Sequence, residues 1–189
     1  MGASVLPSEK MAEAEVSLRL ALHLLRSRLV VADVEVAIDG AQVQTNGVVH
    51  FPIREFLADG GVCKQDVTID AWQGLYSVHG AAHCLRIHST AGLGDVVAPL
   101  QSGRTLRAES KKGPLVRKKG SPEYRLLREA LGQLLTVSEV GQEDLLAVAV
   151  PHSPKFKELT DRWSTAPLVS RLDLRFLLVG RDGGVLGLP

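Results

Sequence analysis

The chain of 189 residues predicts an α/β protein with a mixed β-sheet flanked by helices. Three observations carry this expectation. Near the N-terminus Ala14, Leu18, Ala21, Leu22, Leu25 and Leu29 recur at helical spacing. Residues 34–111 form a series of short alternating or apolar runs broken by glycines. The last third alternates helical and strand-like segments, including the unbroken apolar run 145–150 expected of a strand covered on both faces.

Taken in order, Ser8 followed by Glu9-Lys10-Met11 reads as a helix start and predicts an amphipathic helix over 8–29. Glu15 and Arg19 sit one turn apart on its more polar side. Val34, Val36 and Ile38 alternate with Glu35 and Ala37, as on a strand. Asp39-Gly40 then signals a turn, with 43–51 returning as a hairpin partner. A short helix over 52–59 ends at Gly60-Gly61. Strands are expected at 65–69, 76–79, 83–88, 95–100 and 105–111. Gly113 and Pro114 stop the last of these, and a basic loop over 112–119 follows. Ser121-Pro122-Glu123 opens the next helix, with Ser at the N-cap and Pro at the first helical position. Leu126, Leu127, Ala130, Leu131, Leu134 and Leu135 form its apolar face. After the strand 145–150 a helix starts at Ser153-Pro154 and runs to about Trp163. A strand over 172–179 and a turn at 181–184 lead to a last short strand.

Length and composition narrow the classes. A chain of this size is expected to be one domain, 1–189, with a core that needs no disulfide or metal staple. With 45% hydrophobic and 23% charged residues it has the balance of an ordinary globular protein. Net charge is +1, which excludes a globally basic binder and an acidic tail but leaves room for a local basic patch. Aromatic residues are only 4%, too few for a base-stacking platform. Cys63 and Cys84 make no disulfide framework and fit a reducing compartment. Arg19 and His23 interrupt the apolar stretch 16–25, which is neither a signal peptide nor a membrane span. A cytoplasmic protein without membrane contact is expected.

The chemically informative residues lie in the middle. On a strand over 105–111, Arg107, Glu109 and Lys111 project to one face and Leu106, Ala108 and Ser110 to the other. If Asp95 lies on the neighbouring strand, its carboxylate meets that of Glu109. Two converging carboxylates suit Mg²⁺ (or Mn²⁺), a hard cation that takes oxygen ligands and retains waters. A metal held in this way polarises a phosphoryl oxygen and activates water, while Lys111 supplies positive charge to the phosphate. The basic residues Lys112, Arg117, Lys118 and Lys119, with Arg107, would clamp a nucleic-acid backbone at the rim.

Gly94-Asp95, Glu109-Ser110-Lys111 and the following segment Ala130-Leu131-Gly132-Gln133-Leu134-Leu135 resemble the PD-(D/E)xK nuclease superfamily, the restriction-endonuclease-like fold. The resemblance covers about 83–150, the expected catalytic core. It implies a catalytic set of Asp95, Glu109, Lys111 and Gln133, with Asp95 and Glu109 as metal ligands. Gly94 stands where the family pattern has proline. Members of the family sometimes add an acidic residue from the first helix, and Glu13 and Glu15 are both placed for it. The function implied is metal-dependent phosphodiester hydrolysis, in DNA first and RNA second, by a homodimer or a subunit of a larger complex.

Other readings stand beside these. Glu109 and Lys111 also suit a surface ion pair, Gln133 an exposed helical glutamine, and the basic loop a solvated connection. Asp39 and Asp70 are rival second carboxylates, since each ends a strand-like run. His79, His83, Cys84 and His88 are potential zinc ligands, but strand alternation sends His83 opposite to Cys84 and His88. A catalytically inactive module that binds nucleic acid, or a subunit that binds only protein, is the alternative function.

Overall fold

Apolar side chains at two periodicities build one nine-stranded mixed sheet with helices packed on it. The computed structural model describes residues 6–68, 70–90, 92, 94–117, 120 and 122–188. In chain order the elements are β1 (Lys10–Met11), α1 (Glu13–Arg26), β2 (Val34–Ala37), α2 (Gly40–Val43), β3 (Gln44–Thr45), β4 (Val48–Val49) and α3 (Ile53–Asp59). Next come β5 (Val62–Lys64), β6 (Gly74–Val78), β7 (Leu85–His88), β8 (Val96–Pro99), β9 (Thr105–Ser110), β10 (Gly113–Pro114) and α4 (Glu123–Leu134). The chain closes with β11 (Asp144–Pro151), α5 (Pro154–Ser164), α6 (Pro167–Arg171), β12 (Arg175–Val179) and β13 (Val185–Leu186). The large sheet runs β13-β12-β11-β9-β8-β2-β7-β6-β5. β8 is antiparallel to β9 and to β2, whereas β11 is parallel to β9 and to β12.

α1 lies across one face of this sheet, against β2, β8, β9 and β11. It contains no Gly or Pro and is rich in Leu and Ala, the strongest helix formers. Glu13 and Glu15 in its first turn and His23 and Arg26 in its last suit the helix dipole. Leu18, Leu20 and Leu24 are fully buried; each such side chain contributes roughly 1.5–3 kcal/mol of apolar transfer. Beneath them lie Val34, Val36, Val96, Ala98, Leu106 and Ala108. β11 is covered on both faces, as its unbroken apolar run predicts. Leu145, Ala147 and Ala149 join the α1 core, while Val148 and Val150 join a second core with Leu127 and Phe156 from α4 and α5. On β2 and β7 the second face carries Glu35 and Arg86, 3.9 Å apart and half exposed.

Several expectations are corrected. The first helix does not begin at Ser8. Lys10–Met11 pairs antiparallel with Gly113–Pro114, and Met11 is fully buried, so the chain enters the helix extended. The helix ends at Arg26 rather than at 29. Arg28 turns into the left-handed region (φ 55°), and the Leu29 N–H reaches back to the Leu24 carbonyl at 3.0 Å. Leu29 therefore keeps the apolar spacing without being helical. Glu15 lies in the core rather than on a polar side, held by Arg19 and by Arg181. Residues 43–51 form no long return strand. Asp39 caps the single turn α2, and the tight turn is made by Asn46-Gly47 between the two-residue strands β3 and β4. The strand expected at 65–69 lies earlier, at β5. The basic loop starts as the buried strand β10. Pro122 precedes the first turn of α4 rather than occupying it, and Ser121, its expected cap, lies outside the described residues. Residues 172–174 are not strand, because α6 and the left-handed Asp173 (φ 48°) delay β12 until Arg175.

Candidate active site

The β8–β9 register determines the centre of the site. Val96 pairs with Ala108 and Val97 with Arg107, so one step further Asp95 stands opposite Glu109. The Asp95 carboxylate is oriented by the backbone: the Ser110 N–H donates to its Oδ2 at 2.8 Å. Gly94 delivers the chain into this position at φ +103°, and a Cβ there would meet the Ala108 carbonyl oxygen at 3.2 Å. Proline, held near −65°, cannot adopt that conformation, which is the physical reason for its absence before Asp95.

Lys111 lies in the same place, two residues along the face from Glu109 and buried with it. Its Nζ is 3.2 Å from Glu13 Oε1 and 3.3 Å from Glu109 Oε1. Glu13 also accepts from Gln42 Nε2 at 3.2 Å and, through Oε2, from the Lys112 backbone N–H at 3.3 Å. The structure thus selects between the two first-helix acids: Glu13 joins the site and Glu15 faces the core. The electrostatics follow from burial first and neighbouring charge second. Burial, then the neighbouring Glu109 charge, pushes the Asp95 carboxyl up to about 7. Burial likewise holds Glu109 above the usual carboxylate range. Burial disfavours charge on Lys111, but Glu13, Glu109 and Asp95 outweigh it and its proton is held more tightly than usual.

A cleft of about 420 Å³ opens over these groups, lined by Glu13, Asp39, Asp95, Glu109, Gln133 and Thr136. A second, of about 380 Å³, reaches Lys111 and Lys112 and shares Glu13, Gln133 and Thr136 with the first. Gln133, on the last turn of α4, therefore lines both. Asp39 lines the first cleft while its Oδ1 caps α2, and Asp70 is paired instead with Arg54 at 2.6 Å. Sequence spacing missed Gln42 and Thr136; no local motif marks either, and only the packing of α2 and α4 brings them in.

The basic residues divide. Lys112 is exposed at the cleft. Arg117 is exposed and lies 3.7 Å from Glu158. Lys118 and Lys119 lie outside the described residues. Arg107 is occupied, its Nε donating to Asp144 Oδ2 at 2.7 Å in a mostly buried pair.

The chain matches no family model, no curated protein and no solved structure. The site therefore rests on its own geometry. Among the described residues no group of three or more His, Cys, Asp or Glu side chains is set to hold a metal ion. This overturns the zinc reading of His79, His83, Cys84 and His88; Gln65 Nε2 lies 3.2 Å from Cys84 Sγ, and His88 Nδ1 accepts from the Thr90 N–H. Asp95 and Glu109 are a pair rather than a trio, because Glu13 spends both oxygens on Lys111, Gln42 and Lys112. A pair still fits Mg²⁺, which uses one or two carboxylates and completes its shell with water and substrate phosphate. No helix among the described residues is long and apolar enough to cross a membrane.

Proposed function

We propose that this chain is a metal-dependent nuclease of the restriction-endonuclease-like type, hydrolysing phosphodiester bonds in DNA. The observation that carries it is the meeting of Asp95 and Glu109 across β8–β9 with the Lys111 ammonium 3.3 Å from Glu109. The element order around the site, with α1, the β8–β9 pair, α4 and then the parallel β11, supports the same reading.

Asp95 and Glu109 would hold Mg²⁺ or Mn²⁺, which supplies a polarised phosphate and an activated water. In the hydrolysis, the water oxygen bonds to phosphorus and one bridging P–O bond breaks. The departing oxygen leaves with a proton, and the second fragment keeps the phosphate. Lys111 keeps its proton at neutral pH, so it acts as a positive donor to the phosphate oxygens rather than as a base. Glu13 is a positioning residue that aims this ammonium. Gln133, which lines the cleft, would orient water or substrate. Lys112 and Arg117 would bind the backbone of the nucleic acid without reading its sequence. A second copy or a partner subunit is expected to complete the substrate-binding surface.

The test is cleavage of plasmid and single-stranded DNA with Mg²⁺, Mn²⁺ or EDTA, comparing the wild type with Glu109→Ala and Lys111→Ala. Metal-dependent cutting lost in both variants supports the reading. Binding at low salt with no cutting under any metal condition replaces it with a non-catalytic nucleic-acid module, and neither binding nor cutting refutes both.

A further inference from the structure

We propose that the β3–β4 hairpin reads the substrate: it enters the major groove of duplex DNA beside the cleft and favours A·T pairs through Gln44 and Asn46. This deepens the nuclease reading and rests on it.

Position is the first argument. α2 carries Gln42, which donates to the active-site Glu13, and is capped by Asp39 on the cleft wall; β3 begins at the next residue. Four residues of extended chain reach about 13 Å, so the hairpin tip stays within that reach of Gln42 on the cleft wall. Base edges flank their own backbone at similar distances.

Shape is the second. Asn46 (φ 49°) and Gly47 (φ 80°) are both left-handed, the type I′ turn that matches strand twist. Gln44 pairs with Val49 and Thr45 with Val48. Two-stranded ribbons this short are marginal alone, so the base must hold the tip. It does: the His50 and Phe51 N–H groups both donate to the Val43 carbonyl, at 2.8 and 3.3 Å, and Val43 and Phe51 are buried. Thr45 Oγ1 lies 2.5 Å from His50 Nε2. Residues 44–50 are nevertheless all exposed, giving a firmly anchored, solvated probe. A two-stranded ribbon is narrow enough for the B-DNA major groove, which is about 12 Å wide.

Chemistry is the third. No Asp or Glu occurs between Asp39 and Glu55, so nothing on the hairpin repels phosphates. Gln and Asn side chains pair bidentately with adenine, and an apolar side chain suits the thymine methyl. Val48 and Val49, each 58% exposed, supply that apolar surface. The deep, narrow major groove of duplex RNA would exclude the hairpin.

The test uses the full chain with Gln44→Ala and Asn46→Gly combined, a change that keeps the type I′ turn. Circular dichroism and Tm first establish that the variant folds. Binding is read by anisotropy with Ca²⁺ on A·T-centred and G·C-centred DNA duplexes and on an RNA duplex of matching sequence. Cutting is read with Mg²⁺ on a randomised DNA duplex. The wild type is expected to bind the A·T duplex about tenfold more tightly or better, with the variant losing that preference. Equal preference in both proteins, no preference in the wild type, or equal binding of duplex RNA overturns the inference. Wild-type cutting without any base preference leaves the nuclease reading intact and removes the hairpin's role. A preference lost in the variant, in a wild type that binds without cutting, keeps the hairpin's role and refutes the nuclease.

Discussion

Lys111, the residue that follows β9, donates to Glu13 on α1, Nζ to Oε1 at 3.2 Å, across 98 residues of chain. The pair ties the helix that covers the sheet to the end of the strand that carries Glu109, and it fixes where the ammonium points. Of the carboxylates that raise the proton affinity of Lys111, Glu13 acts most strongly.

Glu13→Gln is therefore expected to lower the Lys111 pKa and to reduce cleavage about tenfold or more, as loss of an orienting partner does. NMR titration of the Lys111 side chain checks the first effect independently of activity. An unchanged Lys111 titration would refute the positioning role.

Stability should depend on pH through Asp95. Its folded pKa, near 7, lies above the ordinary 3.8 of the unfolded chain. Between those values the folded state holds a proton that the unfolded state has lost. Metal-free stability therefore falls as pH rises from about 4 to about 7 and levels off above. Glu109, raised in the same direction, adds to the fall. Asp95→Asn removes most of this dependence and is expected to be more stable than wild type at pH 8 by on the order of a few kcal/mol. Mg²⁺ should stabilise the wild type and leave Asp95→Asn unmoved. Urea denaturation at pH 4.5 and pH 8, with and without Mg²⁺, measures both.

The two acids of the first helical turn should separate by phenotype. Glu15 is fully buried and bonds Arg19 and Arg181, so it holds the C-terminal turn against α1. Glu15→Gln leaves two partly buried guanidiniums without their carboxylate and is expected to cost about 3 kcal/mol. Glu13→Gln, at the mouth of the cleft, should cost less stability and more activity. Denaturation midpoints of both variants decide it.

Arg107 and Lys112 should also behave differently. Arg107→Ala strips the partner from the buried Asp144 and is expected to lower stability by about 3 kcal/mol. Lys112→Ala should leave stability within about 0.5 kcal/mol and weaken DNA binding. It should also reduce the slope of log affinity against log salt by about one unit. Salt titrations of binding for both variants distinguish structural from phosphate-contacting cations.

Much of this could be read from residues alone because strand and helix periodicities are local. Alternation on 105–111 by itself puts Glu109 and Lys111 on one face. The run 145–150 announced a strand covered twice, and the 14-residue interval between Asp95 and Glu109 leaves room for two adjacent strands and their turn. Ser153-Pro154 starts a helix where it should, with the Ser153 hydroxyl accepting from the Phe156 N–H. The less successful expectations concern segments whose conformation is set from a distance. Lys10–Met11 is extended because Gly113–Pro114 offers it a partner a hundred residues later. Residues 43–51 are divided by the turn preference of Asn46-Gly47, a stronger signal than Asp39-Gly40.

The α/β class, the order of most elements and the residue types that share a strand face are all local properties, since each follows from repeats of two and 3.6 along a single segment. Tertiary packing alone sets which first-helix acid reaches Lys111, spends Arg107 on Asp144, and brings Gln42 and Thr136 beside Gln133 in the cleft that holds Asp95 and Glu109. Those relationships depend on strand register and helix rotation. A step of one residue in a strand, or about 100° around a helix, exchanges a buried side chain for one in the cleft. No local pattern specifies either choice; the packing of both faces of the sheet does.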